Sequence, residues 1–153
     1  MSTTQIDRDY ARRLSCAASR ERVFEALATT SGLAGWWTPE VSGWPGPGGR
    51  LELRFAGADT IRLSVEAAAP GSRVVWRVQE NTGRPEWRGT RITFVLASDG
   101  PGRTLIDFRH AGLDPELECY DICSRGWDHF LQSLIDFAES GLGSPWKAVA
   151  LAA

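Results

Sequence analysis

From residue 50 onward the chain alternates between apolar and polar positions. Leu51, Leu53 and Phe55 fall on one side, Glu52 and Arg54 on the other, which is the period-two pattern of a half-buried strand. The pattern returns as Ile61, Leu63, Val65, then as Val74, Trp76, Val78 with Val75 among them. It continues as Ile92, Phe94, Leu96 and as Ile106, Phe108, His110. Turn-forming residues interrupt these runs at Ala58-Asp59, Pro70-Gly71, Asn81-Thr82-Gly83 and Asp99-Gly100-Pro101-Gly102. Short turns predict antiparallel neighbours. From Asp114 the period lengthens: Tyr120, Cys123, Trp127, Phe130, Leu131, Leu134, Ile135 and Ala138 recur at three- and four-residue steps, predicting one long helix ending at Ser140 before Gly141. Asp114 as N-cap, Pro115 in the first turn and the charges of Glu116 and Glu118 suit its start.

Ahead of the regular alternation the signals are shorter. Residues 6–16 alternate loosely, with Ile6, Tyr10 and Leu14 on one side of a first strand. Ser19 opens a short helix with Val23, Phe24 and Leu27 as its apolar face, and a second short helix or turn covers Ser31 to Trp36. Residues 38–50, TPEVSGWPGPGGR, carry too many prolines and glycines for a helix and predict a loop between strands. The predicted order is therefore a strand, two short helices, five or six meander strands and a long helix. One sheet face lies in water and one under the helix, an α+β arrangement. No internal repeat or second domain shows. A single domain over 1–153 is expected, with its core at about 6–141 and a short tail, 142–153, in which Trp146 pins the chain to the body.

Composition narrows the function classes. The chain has 153 residues, 17 basic and 19 acidic, with a formal charge of −2. That balance gives no electrostatic basis for nucleic acid or an anionic membrane as the main partner. No stretch approaches 18 apolar residues and the N-terminus lacks a signal-like apolar core, so a cytoplasmic protein without membrane insertion is expected. Three cysteines at 16, 119 and 123 fit reduced thiols. Seven tryptophans supply an unusual amount of rigid apolar surface for a core or a ligand site.

A curved sheet gripping one helix leaves unfilled space, and ligand sites gather in such mouths. Gly126, mid-helix, implies either a close approach to the sheet or a slight kink that lifts the first half of the helix. A pocket is expected at that leading end.

The segments SRERVFEAL (19–27), LAGWW (33–37), the Gly48-Gly49 pair before a strand, HAGL (110–113) and GWDHFLQSL (126–134) together resemble the START-like helix-grip superfamily. That superfamily, also called SRPBCC, includes START-like lipid carriers, birch-pollen-type (Bet v1-like) plant proteins and polyketide cyclases. Within it the chain is similar to the branch named after the C-terminal domain of the Hsp90 ATPase activator, the AHSA1-type family. The resemblance covers about residues 6–141, with Ser19 standing where relatives often carry proline. It implies a curved antiparallel sheet of six to seven strands wrapped around a long C-terminal helix, with two short helices after the first strand. It also implies a cavity between sheet and helix, with Trp36 or Trp37 at its mouth.

The residues expected to line that cavity are Trp37, Trp76, Phe94, Phe108, His110, Tyr120, Cys123 and Trp127. For Trp76, Phe94 and Trp127 plain core is the competing reading. His110 ends an inward-facing run and must find a partner; it either is satisfied structurally or orients a ligand, and with Tyr120 it is the weak candidate for acid–base chemistry. Cys119 and Cys123 lack the spacing and the second ligand pair of a zinc site, so no metal is expected. PGPGGR at 45–50 lacks the lysine of a phosphate loop, and no cofactor is expected. The resulting functional expectation is binding of a hydrophobic or aromatic small molecule. A polyketide-cyclase-like or hydrolase-like enzyme on the same cavity is one alternative, and a chaperone-associated module another. A homodimer through the outer sheet or terminal helix is left open.

Overall fold

The computed structural model describes residues 9–113 and 120–147. The chain forms β1 (Tyr10–Cys16), α1 (Arg20–Ala28), α2 (Thr30–Trp36), β2 (Glu40–Gly43), β3 (Arg50–Arg54), β4 (Thr60–Ala69) and β5 (Arg73–Asn81). A 3-10 turn at Pro85–Trp87, β6 (Arg91–Ser98), β7 (Thr104–Ala111) and α3 (Tyr120–Ser140) complete it. The seven strands make one antiparallel sheet in the order β1-β7-β6-β5-β4-β3-β2. After β1 the two short helices carry the chain to the far edge, and the meander then returns strand by strand to close on β1. This is the α+β helix-grip architecture. The proposed start of the last helix, Asp114 to Glu118, and the residues Ile6 and Cys119 lie outside the described residues.

The sheet residues expected to face inward do so. Leu51, Leu53, Ile61, Leu63, Val65, Val74, Trp76, Val78, Ile92, Phe94, Leu96, Ile106, Phe108 and His110 are all buried. They meet α3 through Cys123, Trp127, Leu131, Leu134, Ile135 and Ala138. Tyr120 and Phe130, on the flanks of that stripe, are half-buried. The opposite sheet face carries ion pairs between strands, such as Glu52 and Glu80 on Arg62 and Glu66 on Arg77 and, across β5, on Arg91. Being exposed, these contribute little each.

The short helices are set by local hydrogen bonds. Ser19 Oγ accepts from the Arg22 N–H at 3.2 Å, capping α1. Thr29 ends α1 and caps α2: its Oγ1 donates to the Glu25 carbonyl (2.8 Å) and accepts from the Gly32 N–H (2.9 Å). At Gly35 a Cβ would overlap the Phe137 ring, so glycine is what lets α2 lie against α3.

One expectation needs correction. Residues 38–50 are not all loop, because Glu40–Gly43 pairs antiparallel with β3. This four-residue edge strand is mostly exposed, so it has no buried alternation for a period-two reading to detect. It stops at Gly43, whose φ of 114° and lack of a Cβ allow close passage against the Arg50 carbonyl.

Candidate functional site

A pocket of about 190 Å³ opens between the leading half of α3 and the β3–β5 end of the sheet. Its walls are chiefly aromatic: Trp37, Phe55, Trp87, Trp127, Phe130 and Trp146. Ile122, half exposed, and Cys123 contribute from α3 beside Gly126, where a Cβ would meet nothing within 4 Å among the described residues. Gly126 therefore faces open space and is not a close approach to the sheet. The polar lining is Asn81, the last residue of β5, with Asp59 and Arg84 from the turns that follow β3 and β5. A hollow of larger volume, about 440 Å³, lies outside α1 against Pro70 and Gly71, but its lining is largely the exposed Glu21, Arg22 and Glu25.

The aromatic rings form one continuous array. Trp37 stacks on Trp36 (5.3 Å between centroids) and on Trp76 (5.5 Å), and its ring is 5.4 Å from that of Trp127. Trp127 in turn stacks parallel to Trp87 at 6.0 Å. Trp36 is fully buried, with its Nε1–H donated to the Ala26 carbonyl at 2.8 Å. Of the adjacent pair, one thus anchors α2 and the other faces the pocket. The tail folds back over the same region: the Trp146 N–H donates to the Trp37 carbonyl (2.8 Å) and Trp146 Nε1–H to the Ala56 carbonyl (3.0 Å).

His110 sits behind this wall, 0 % exposed. Trp127 Nε1–H donates to its Nδ1 at 3.0 Å, so Nδ1 is the acceptor and the proton resides on Nε2. Nε2–H then donates to Thr90 Oγ1 at 2.8 Å, and the Thr90 hydroxyl donates to the Trp87 carbonyl at 2.5 Å. Burial lowers the pKa of His110 from 6.5 to about 3. A proton on Nδ1 would also set two N–H groups against each other. The imidazole is neutral, and neither nitrogen is free to hold a ligand or move a proton. Trp87 closes the array by donating Nε1–H to Cys123 Sγ at 3.3 Å.

The sequence model described as Activator of Hsp90 ATPase homolog 1-like protein matches residues 17–139. The chain belongs to this family. A solved structure similar to it is the Aha1 dimer from Colwellia psychrerythraea, 31 % identical, with 88 % of this chain and 98 % of that chain covered at a TM-score of 0.77. CalU16 from Micromonospora echinospora shares the fold at 20 % identity, TM-score 0.70, over 89 % of this chain and 76 % of that one. So does an HSP90 activator from Plasmodium falciparum, at 16 % identity and TM-score 0.67, over 83 % and 93 %. No curated protein matches the sequence. No helix among the described residues is long and apolar enough to cross a membrane.

In this AHSA1-type chain, three of the eight residues expected at the cavity, Trp37, Cys123 and Trp127, lie on the pocket wall. The other five do not. Trp76, Phe94 and Phe108 are fully buried and pack among themselves and against Trp37, Tyr10 and Trp127. They are core because β4 to β7 all pair around them and leave no gap in that part of the inward face. His110 is consumed by its own hydrogen bonds. Tyr120 packs edge-on against Tyr10, 6.4 Å away, and no hydrogen bond joins it to His110 among the described residues. Tyr10 in turn donates to Asp128, and burial with that carboxylate raises its pKa.

Phe55, Trp87, Trp146, Asp59 and Arg84 line the pocket without having been singled out for it. Phe55 carried a signal as the third inward residue of the β3 alternation. Trp87 sits in a 3-10 turn whose residues, Pro85 to Trp87, have no period to read.

Proposed function

We propose that the chain binds a small apolar or aromatic molecule in the pocket between α3 and the β3–β5 end of the sheet. The observation that carries this is an aromatic-walled opening beside a core whose inward sheet residues are buried and whose buried side-chain polar groups among the described residues, Trp76 Nε1 apart, are hydrogen-bonded. A cavity of about 150 Å³ takes up benzene when its lining is apolar. At about 190 Å³ the site suits one ring with a short substituent, with Trp37 and Trp127 against its faces and Cys123 at its edge. A ligand of that size gives a Kd on the order of 0.1–1 mM at ordinary ligand efficiencies. Trp76, Phe94, Phe108 and the neutral His110 act behind the wall: they fix the orientations of Trp37 and Trp127 and touch no ligand.

Titration with 2-phenylethanol, followed by calorimetry and by tryptophan emission, tests this. Saturable binding that Gly126→Leu abolishes, with the circular dichroism spectrum retained, is the expected result. Absence of binding at millimolar concentration overturns the reading.

A second reading, association with an Hsp90-type chaperone, is supported by family membership and by the similarity to a protein described as an HSP90 activator. Pull-down and stimulation of the chaperone's ATPase decide it. Dimerisation is supported by the similarity to the Colwellia dimer and is tested by sedimentation.

A further inference from the structure

We infer that the ligand of this pocket carries both a carboxylate and an ammonium group beside its ring, as an aromatic α-amino acid does; the inference rests on the binding function proposed above. Two opposite charges line the same opening, Asp59 from the turn after β3 and Arg84 from the turn after β5. Both are partly withdrawn from solvent. The other half-buried arginine among the described residues, Arg77, is paired to Glu66 at 3.4 Å. Arg84 has no carboxylate within 4.0 Å among those residues, and Asp59 has no cation.

The two groups flank the same residue, Gly83, yet form no ion pair with each other. Asp59 presses against Gly83, where a Cβ would overlap its carboxylate, so a glycine at 83 is what admits it. Asn81 Oδ1 accepts from the Gly83 and Arg84 N–H groups at 3.1 and 2.9 Å and fixes the turn that presents Arg84. Arg84 Nη1 folds back onto the Gly83 carbonyl at 2.9 Å. A guanidinium has five N–H donors and a carboxylate about four acceptor sites, so each keeps most of its capacity unspent. A ring lodged against Trp37 and Trp127 places a charged head group at this rim, its carboxylate toward Arg84 and its ammonium toward Asp59. Bidentate guanidinium–carboxylate pairing would supply the stronger half.

Calorimetry on the full chain with four probes of equal ring size tests the inference: L-phenylalanine, 3-phenylpropanoate, 2-phenylethylamine and neutral 2-phenylethanol. Phenylalanine is expected to bind about three- to tenfold tighter than either singly charged analogue, the range for partly exposed ion pairs and charge-assisted hydrogen bonds. Arg84→Gln should remove that advantage for phenylalanine and 3-phenylpropanoate while leaving 2-phenylethylamine unchanged. Asp59→Asn should do the converse. If 2-phenylethanol binds as tightly as phenylalanine, the zwitterion inference is wrong and the apolar site stands; if no probe binds, both fall. The comparison of probes on the unaltered chain decides the matter even where a variant folds poorly.

Discussion

Gly126→Ala isolates the cost of the pocket from the cost of the fold. Glycine inside a helix is less favourable than alanine by about 0.8–1 kcal/mol, because it loses more backbone freedom on folding. Such a residue usually persists because something approaches too closely for a Cβ. Here nothing among the described residues lies within 4 Å of the position a Cβ would take, although Gly126 stands within the 21-residue α3. The added methyl meets no clash and projects into the opening between Trp127 and Cys123. The propensity gain should therefore appear almost whole: about 0.5–1 kcal/mol of added stability, or a melting temperature roughly 1–4 °C higher for a chain of this size. Urea and thermal unfolding followed by far-ultraviolet circular dichroism measure it. In the same protein, affinity for 2-phenylethanol should fall, since the methyl takes volume from a site of about 190 Å³. Loss of stability in Gly126→Ala would refute the reasoning, for it would mean that the helix needs glycine for backbone contact and that the pocket does not explain it.

Three further outcomes follow from the buried hydrogen bonds. His110 titrates near 6.5 when unfolded and near 3 when folded, so the unfolded chain binds the extra proton between those values. Stability from this group is complete above about pH 6.5 and falls by about 1.4 kcal/mol per pH unit below it, down to about pH 3; urea midpoints at pH 7 and 5 should differ accordingly, and the difference should shrink in His110→Gln. Trp127→Phe should cost about 1–3 kcal/mol more than Trp76→Phe in urea unfolding, because it strands the buried His110 Nδ1, whereas Trp76 Nε1 has no partner to lose among the described residues. Ser133→Ala should cost about 1–3 kcal/mol, since the buried Ser133 Oγ donates to the Trp36 carbonyl (2.8 Å) and accepts from the Ser144 N–H (2.6 Å). The loosened tail should then show as faster trypsin cleavage at Lys147.

The sheet was legible because burial on one face leaves a period of two in the sequence, and β3 to β7 each bury at least two residues of that period. α1 was legible for a different reason: Ser19 hydrogen-bonds its own helix start, a local act that needs no tertiary context. β2 lacked both kinds of signal. Its identity depends on backbone pairing to Arg50–Arg54, and an exposed edge strand can have almost any composition. Trp87 was hidden likewise, in a turn defined by hydrogen bonds of the Trp87 and Arg88 N–H groups to the Arg84 and Pro85 carbonyls.

Facing inward and lining a void are different properties, and only the first has a sequence period. Trp76 and Phe94 share the inward face with Ile61, yet only Ile61 reaches the opening. The difference lies in strand pairing. The β5–β6 ladder runs from Arg73 opposite Val95 only to Arg77 opposite Arg91, whereas β5 continues to Asn81 beside Ile61 of β4. Beyond Val78, whose N–H and carbonyl still bond to Thr90 and Gly89, the sheet therefore lacks the inward side chains that β6 would supply, and the chain crosses that gap as the Pro85–Trp87 turn. Trp87 fills part of the space and stacks on Trp127; what it leaves, opposite the glycine of α3, is the pocket. Where Trp76 and Phe94 sit, β4 to β7 are all present and the interior closes. The site is thus a consequence of one strand outrunning its neighbour, and its polar rim, Asp59 and Arg84, comes from the two turns at that same uncovered end.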